Sequence, residues 1–423
     1  MPLIESAILV GWEPLKSAED YEQAMEELAL LARTAGAEPL ITVTQKRASP
    51  DPRYYIGRGK TQEVAALAEE LGATLVVFND QLSPTQIRNL EKALGVKVID
   101  RTALILDVFA RRARTRAGKL QVELAQLQYL LPRLTGMGTQ LSRLGGGIGT
   151  RGPGETRLEV DRRRIRMRIT ELRRDIKSLR KQRRLHRRLR KKREMKVISL
   201  VGYTNAGKST LLNTLTGADL YTEDKLFATL DPSVRRGNLN GGMKVLFSDT
   251  VGFIRRLPAE LWTAFQATLE ELLDSDLLLH LVDLSHSNYL NQLYAVREHL
   301  SRLDPEYHQR EVLVFNKIDR LAEEVNREML QRKFPGSCYI SALTGEGLGE
   351  LKQILLEALT RSYLKLRLYL PYNDRPAYYQ ILRQGTILKE IYHPGYIEIL
   401  AELNPILGEQ LSRYTVIPDG YSR

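Results

Sequence analysis

The sequence predicts an α/β protein with four consecutive segments. Apolar, strand-like runs alternate with helical patterns in residues 1–100 and again in 196–360, and this alternation is typical of parallel sheets covered by helices. Large aliphatic residues recur at heptad spacing in residues 101–195, which predicts a helical arm. Alternating leucines in residues 361–423 predict a small α+β domain. A chain of 423 residues accommodates this number of domains.

The first segment is predicted to contain four strands with helices between them. The strands are Ala7–Val10, Leu40–Val43, Thr74–Phe78 and Val96–Ile99, and the helices span about Ala18–Ala35, Thr61–Leu71 and Pro84–Leu94. Ser83 before Pro84 is typical of a helix start, and Gly95 of a helix end.

The second segment is predicted to be a two-helix antiparallel coiled-coil arm. Its seams are Leu120, Leu124, Leu127, Leu131 and Leu134, and Ile165, Ile169, Leu172, Ile176 and Leu179. Short isolated helices are marginally stable, so the two are expected to pair. Residues 135–157 between them contain eight glycines and are predicted to form the tip loop of the arm.

Positive charge is concentrated in the second arm helix. Residues 161–196 contain 19 Lys or Arg and four acidic residues, whereas the rest of the chain has 44 and 47. This density favours nucleic acid as a partner, and a solvated helix face is the alternative. The predicted RNA contacts are Arg143, Gly145, Gly146, Gly147, Arg151, Arg157, Arg183, Arg184, Arg187 and Arg188.

Composition restricts the other possibilities. Cys338 is the only cysteine, which excludes an internal disulfide framework. The sequence has no run of 18 apolar residues and no basic leader, so we expect a cytoplasmic protein that does not contact membranes. A monomer is a separate expectation.

A phosphate-binding loop is predicted after the strand-like run Val197–Val201. The pattern GxxxxGK[ST] is followed by a helical pattern, which is the setting this loop requires. Glycines let backbone amides surround phosphate oxygens, and the helix N-terminus adds a positive dipole. Lys208 is expected to reach the β- and γ-phosphates and Ser209 to hold Mg²⁺. The loop comprises Gly202, Tyr203, Thr204, Asn205, Ala206, Gly207, Lys208, Ser209 and Thr210.

Three further motifs follow predicted strands in the order of a guanine-nucleotide site. In Asp249-Thr250-Val251-Gly252, the carboxylate suits the magnesium shell through water, and Gly252 can sense the γ-phosphate. In Asn316-Lys317-Ile318-Asp319, Asp319 can accept two hydrogen bonds that guanine donates and adenine does not. The backbone of Ser341-Ala342-Leu343 is expected to meet guanine O6. Together the motifs predict a GTP-binding domain related to translation factors.

Thr229, in a segment with Phe227 and Ala228, is the predicted switch threonine that binds Mg²⁺ and γ-phosphate. Thr222 is the alternative. Lys208, Thr229 and Gly252 are therefore the predicted catalytic residues.

Two features concern the rate of hydrolysis. Phe253 occupies the position where many GTPases have a water-orienting glutamine, which predicts slow intrinsic hydrolysis accelerated by a partner. Asn205 suggests a K⁺ ion near the phosphates, and an asparagine that only stabilises the loop is the alternative.

In Gly57–Thr61 a second glycine-rich sequence resembles the end of a phosphate loop, but Tyr54 stands where the first glycine is needed. It could also contact RNA or simply lead into a helix.

The chain resembles the HflX family of bacterial ribosome-associated GTPases over nearly its full length. The resemblance is most specific in Gly118–Leu127 (GKLQVELAQL), in the tip Gly145–Glu155 with Thr156 and Arg157, and in the phosphate loop with Asn205. Phe253 agrees with the hydrophobic residue of the family pattern, and Thr229 is preferred over Thr222 on this resemblance.

The resemblance implies a function. The GTP form would bind the large ribosomal subunit and its RNA, and the tip would reach towards the peptidyl-transferase region. Stalled or stress-arrested ribosomes would be split, and hydrolysis to GDP would release the protein. ATP binding by the N-terminal region is also implied for family members. Two alternatives stay open: a nucleotide-dependent RNA-remodelling protein acting on ribosomal RNA, and a non-enzymatic module that tethers a silent GTPase fold.

Overall fold

The computed structural model describes residues 5–14, 19–136, 157–192, 195–217, 227, 233–254, 258, 261–262, 269–321, 327–361, 363–403 and 405–415. The predicted mixed α/β class is confirmed, with two mainly parallel sheets and one antiparallel sheet. Within the described ranges, each helix is too short or too polar to cross a membrane.

The N-terminal domain is a four-stranded parallel sheet with the strand order β2-β1-β3-β4. Its strands are β1 (Glu5–Glu13), β2 (Ala37–Lys46), β3 (Leu75–Phe78) and β4 (Lys97–Asp100), and its helices are α1 (Glu19–Ala35), α2 (Arg58–Glu70), α3 (Pro84–Leu94) and α4 (Arg101–Arg112). A reciprocal capping box between Ser83 and Gln86 starts α3, and left-handed Gly95 ends it, as predicted. Asn79 follows β3 and Arg101 follows β4. Because the two strands are parallel, both residues lie at the same edge of the sheet.

The predicted helix pair is confirmed by its seam. Helix α5 (Arg116–Leu130) packs on α6 (Arg157–Lys192), and the contact buries Leu124, Ile169 and Leu172. A salt bridge of 2.7 Å between Arg168 Nε and Glu123 Oε1 joins the two helices. Residues 137–156, which include most of the predicted tip, lie outside the described residues.

The start of the arm differs from the prediction. Helix α4 lies in the 101–195 segment, but its apolar residues Leu104, Ile105, Val108 and Phe109 pack into the N-terminal core. The carboxylate of Asp100, just before α4, fixes the end of α5 through the Tyr129 hydroxyl at 2.8 Å and the Arg133 guanidinium at 3.1 Å. The arm is thus fastened to the edge of the N-terminal sheet.

The domain that the sequence predicts to bind GTP, named the GTPase domain after that prediction, has a six-stranded sheet with the order β10-β9-β8-β5-β7-β6, parallel except for β6. Its strands are β5 (Lys196–Gly202), β6 (Ser233–Asn238), β7 (Lys244–Asp249), β8 (Leu277–Asp283), β9 (Glu311–Asn316) and β10 (Cys338–Tyr339). Its helices are α7 (Lys208–Thr216), α8 (Tyr289–Leu303), α9 (Arg327–Lys333) and α10 (Leu348–Thr360). The predicted motifs all follow the carboxyl ends of parallel strands, where ligands bind in open α/β sheets.

The C-terminal domain is a three-stranded antiparallel sheet with the order β11-β13-β12. It consists of β11 (Leu364–Pro371), α11 (Arg375–Gln384), β12 (Thr386–His393), β13 (Tyr396–Leu403) and α12 (Pro405–Gln410). The predicted turn at Pro394-Gly395 joins β12 to β13.

The N-terminal and GTPase domains share one hydrophobic cluster. Leu28 and Phe109 from the N-terminal helices belong to the same buried set as Val201, Tyr203 and Phe253 from the GTPase domain. The loops of the candidate site therefore rest directly on the N-terminal domain.

Candidate nucleotide site

The phosphate loop is held from both sides by backbone contacts. Gly207 has φ of +93°, and a Cβ there would lie 2.3 Å from Asn316 Nδ2, so a side chain is excluded on two grounds. The backbone of Phe253 donates to the Gly202 carbonyl at 3.1 Å and accepts from the Thr204 amide at 2.8 Å. This pairing joins the phosphate loop to the residue directly after the DxxG motif.

Lys208 is buried at the first position of α7. Its ammonium group donates to the carbonyl oxygens of Tyr203 at 2.7 Å and Gly202 at 3.2 Å. Burial lowers the pKa of Lys208 to about 8; the nearby Asp249 carboxylate opposes this shift, and Lys317 adds to it. Burial therefore destabilises the charged form of Lys208, and an anion bound next to it would stabilise that form.

Ser209 and Asp249 provide oxygen atoms of the kind that Mg²⁺ binds. The Ser209 hydroxyl donates to Asp249 Oδ2 at 2.9 Å, and the Asp249 side chain is completely buried. The other oxygen, Oδ1, accepts the amide of Thr250 at 2.9 Å. A hydroxyl and a carboxylate at this spacing fit a magnesium shell of mixed protein and water oxygens.

Asn316 connects the loops of the predicted guanine site. Its side chain donates to the Ala206 carbonyl at 2.8 Å and accepts the Ala342 amide at 2.9 Å. Lys317, with φ of +66°, forms an ion pair of 2.7 Å with Asp283 at the end of β8. Asp319, two residues after Lys317, is exposed, so its carboxylate is accessible beside these loops.

The predicted residues differ in where the structure places them. The Ser341 side chain is buried, and that of Leu343 is 72% exposed. Phe227 is buried in the core, edge-on to Phe109 of α4 with ring centroids 4.5 Å apart, so its side chain faces the N-terminal domain. Several predicted residues or side chains lie outside the described part, namely Ala228, Thr229, the rival Thr222, Arg143, Gly145, Gly146, Gly147, Arg151, Arg157, Arg183, Arg184, Arg187 and Arg188.

Two sets of contacts near the site involve residues that no sequence motif marks: His299 and Trp262 beside Phe253, and Glu27 and Arg101 in the N-terminal domain. Phe253 is buried and stacks on His299 of α8 at 5.5 Å, and Trp262 stacks on the same imidazole at 5.4 Å. Burial lowers the pKa of His299, which favours the neutral ring inside this stack. The second set comprises Glu27, which accepts a hydrogen bond from Tyr203 of the phosphate loop, and Arg101, which pairs with Glu27.

The glycine-rich sequence Gly57–Thr61 forms the start of α2. The Gly57 amide donates to Gln45 Oε1 at 2.7 Å, and the Thr61 hydroxyl donates to the Gly57 carbonyl at 3.1 Å. The sequence allowed a second phosphate loop, an RNA contact or a loop that leads into a helix. The observed arrangement agrees with the last of these.

Three family models match consecutive parts of the chain. They are described as GTP-binding GTPase N-terminal (residues 22–110), GTP-binding GTPase Middle Region (112–190) and 50S ribosome-binding GTPase (197–317). Together they cover most of the N-terminal domain, nearly all of the arm and most of the GTPase domain.

The chain is also similar to curated proteins and solved structures. It is 47% identical to GTPase HflX of Caldanaerobacter subterraneus subsp. tengcongensis, over 97% of this chain and 94% of that protein. It is 44% identical to GTPase HflX of Escherichia coli, over 89% of each. A solved GTP-binding protein from the archaeon Sulfolobus solfataricus, in complex with GDP, is 24% identical with a TM-score of 0.45, over 84% of this chain and 99% of that chain.

Proposed function

This chain belongs to the HflX family of GTPases and is a GTP hydrolase, and we propose that its GTP-bound form binds the large ribosomal subunit. There it splits stalled or stress-arrested ribosomes, and hydrolysis to GDP releases it. The match of residues 197–317 to the 50S ribosome-binding GTPase model carries this proposal. The same residues hold the phosphate loop, the DxxG motif and the NKxD motif up to Lys317.

The nucleotide contacts divide between phosphate and base. Lys208 and the amides of the phosphate loop bind the phosphates, while Thr229 and Gly252 bind the γ-phosphate only in the GTP state. Asp319 selects guanine, and the backbone of residues 341–343 contacts its O6. The two hydrogen bonds of Asn316 support this arrangement, because they hold the phosphate and base loops together.

GTPases of this family generally use Mg²⁺. The residues proposed to hold it here are Ser209 and Thr229 directly, and Asp249 through water. The 2.9 Å contact between Ser209 and Asp249 supports this set. When bound, the ion neutralises charge that develops on the phosphate oxygens. The chain's own part is to hold the hydroxyl and the carboxylate next to the phosphate loop.

K⁺ near the phosphates remains a separate proposal, tied to Asn205. This residue has φ of +64° and lines a cavity next to the phosphate loop. Replacing K⁺ with Na⁺ at equal ionic strength is expected to slow GTP turnover. Equal rates in the two salts would show that Asn205 only stabilises the loop.

The arm supplies the affinity for RNA. The basic residues of α6 are proposed to neutralise phosphates of ribosomal RNA, and the glycine-rich tip to approach the RNA closely. Deleting Gly145–Gly149 should leave GTP binding intact and impair splitting. Unchanged splitting would show that the tip is only a linker.

The deciding experiment measures GTP hydrolysis by the pure protein in potassium buffer, with and without large ribosomal subunits. We expect slow hydrolysis alone and strong stimulation by the subunit, and Lys208→Ala to abolish both. Sedimentation of 70S ribosomes with a non-hydrolysable GTP analogue then tests splitting. GTP binding without stimulation would contradict the proposal and favour free RNA as the partner.

A further inference from the structure

We propose that Tyr203, Glu27 and Arg101 form a relay through which the N-terminal domain positions the phosphate loop and thereby slows nucleotide dissociation. The three residues act as positioning residues, since they hold the loop from the side that faces the N-terminal domain. The inference rests on the guanine-nucleotide site proposed above. It adds a control of that site by a separate domain.

The relay is a continuous chain of buried and partly buried polar contacts. The Tyr203 hydroxyl donates to Glu27 Oε1 on helix α1 at 2.5 Å, and only 6% of the Tyr203 surface is exposed. Arg101 Nη2 contacts the other carboxylate oxygen of Glu27 at 2.6 Å. Arg101 Nη1 donates to Asn79 Oδ1 at 3.1 Å, at the carboxyl edge of the N-terminal sheet. The chain thus runs from the phosphate loop to the ends of β3 and β4.

Tyr203 can transmit a displacement because it contacts both domains. Its side chain is held by Glu27, while its backbone carbonyl accepts the 2.7 Å hydrogen bond from Lys208. The amide of the next residue, Thr204, donates a hydrogen bond to the carbonyl of Phe253, which follows the DxxG motif. A shift of the Tyr203 ring therefore changes the surroundings of the phosphate-binding lysine and of the Phe253 backbone.

Other contacts show that the two domains meet closely here. Asn288 before α8 donates to Gln23 of α1, and Phe227 packs on Phe109 of α4. A cavity of about 230 Å³ lies at this junction. Its walls include Glu27, Asn79 and Arg101 from one domain, and Tyr203, Thr204 and Asn205 from the other.

The charged members make the relay sensitive to small changes. A carboxylate shared between a guanidinium and a hydroxyl in a partly buried site forms hydrogen bonds stronger than neutral ones. Glu27→Gln keeps the size of the side chain but removes the charge that Arg101 pairs with. Tyr203→Phe removes only the hydroxyl. Both changes should loosen the same loop.

The test measures dissociation of a fluorescent GDP analogue from the full-length protein with excess unlabelled GDP, in the absence of ribosomes. We expect Glu27→Gln and Tyr203→Phe each to raise the dissociation rate roughly fivefold or more, the usual scale of coupling between sites. The double variant should be no faster than the faster single variant, since both changes break one chain. Glu26→Gln, at the exposed neighbouring position, is the matched control and should stay within about twofold of the unchanged protein.

Thermal unfolding of the nucleotide-free proteins separates positioning from folding. A faster dissociation rate with an unchanged unfolding midpoint supports the relay. Single-variant rates within twofold of the unchanged protein, or effects that multiply in the double variant, would overturn it. In either case the unchanged protein still binds GDP. Failure of the unchanged protein to bind guanine nucleotide would instead contradict the proposed function.

Discussion

The side-chain nitrogen of Asn316 lies 2.8 Å from the carbonyl oxygen of Ala206 and donates a hydrogen bond to it across 110 positions of sequence. The oxygen of the same amide accepts the Ala342 amide, and only 1% of Asn316 is exposed. One side chain therefore sets the distance between the phosphate loop and the loops of the predicted guanine site.

Asn316→Ala is expected to weaken GDP and GTP binding about tenfold or more. The truncation leaves the Ala206 carbonyl and the Ala342 amide buried without their partner, and an unsatisfied buried group costs roughly 1–3 kcal/mol. Equilibrium titration with a fluorescent nucleotide measures the change. Asn240→Ala, at an exposed asparagine of the same domain, is the control. Equal affinity in both variants would show that the loops are held by other contacts.

Gly252→Ala is expected to lower the GTP hydrolysis rate by about tenfold or more. An added Cβ would lie 2.9 Å from Thr204 Cγ2 and 3.0 Å from Lys208 Nζ. The methyl group would displace the lysine, and small displacements of catalytic groups cost large factors in rate. Single-turnover hydrolysis measures the effect. The control is Gly349→Ala in α10, where the added atom meets nothing within 4 Å. Normal hydrolysis by Gly252→Ala would argue against Gly252 as a γ-phosphate contact.

The lowered pKa of Lys208 makes stability depend on pH in a defined window. Its pKa is about 8 in the folded protein and 10.5 ordinarily, so between these values the unfolded chain binds the proton more strongly. The contribution of Lys208 to stability therefore rises as pH increases from about 8 to 10.5. Chemical unfolding of the nucleotide-free protein at pH 8 and 9.5 measures it, and Lys208→Met should lack this contribution.

The same shift predicts proton uptake when a nucleotide binds. Phosphate oxygens next to Lys208 favour its charged form and restore a high pKa. At pH 8 we expect about half a proton to be taken up per GDP bound. Calorimetric titrations in two buffers with different ionisation enthalpies count the protons. Lys208→Arg remains charged at all accessible pH values and should take up none. Equal uptake by Lys208→Arg would assign the proton to another group.

Charge removal on α6 is expected to weaken ribosome binding and to flatten its dependence on salt. Each lost phosphate contact lowers the slope of log affinity against log salt by about 0.7–0.9. Replacing both Arg183 and Arg184 with alanine should thus lower the slope by roughly 1.5. Co-sedimentation with large subunits at several salt concentrations measures this. Replacing the exposed pair Arg332 and Lys333 on α9 controls for net charge. An equal loss in both variants would mean that only overall charge matters.

Much of the fold was predictable because local patterns carried it. The alternation of strands and helices, the Ser83–Gly95 helix and the seam around Leu124 and Ile169 depend on short-range periodicity and capping. The start of the arm was less predictable. Helix α4 is amphipathic like its neighbours, and only the packing of its apolar residues, Phe109 among them, shows that it covers the N-terminal sheet.

Sequence motifs alone identify the class of protein and the residue types of its nucleotide site, because the motifs around Lys208, Asp249 and Asn316 reflect the chemistry of phosphate, metal and base. The tertiary structure alone decided which residues outside the motifs hold that site. Glu27 reaches Tyr203 from 176 positions away, and His299 stacks on Phe253. Such contacts follow from how two domains pack against each other. Packing depends on shape and burial across the whole core, which no local pattern records.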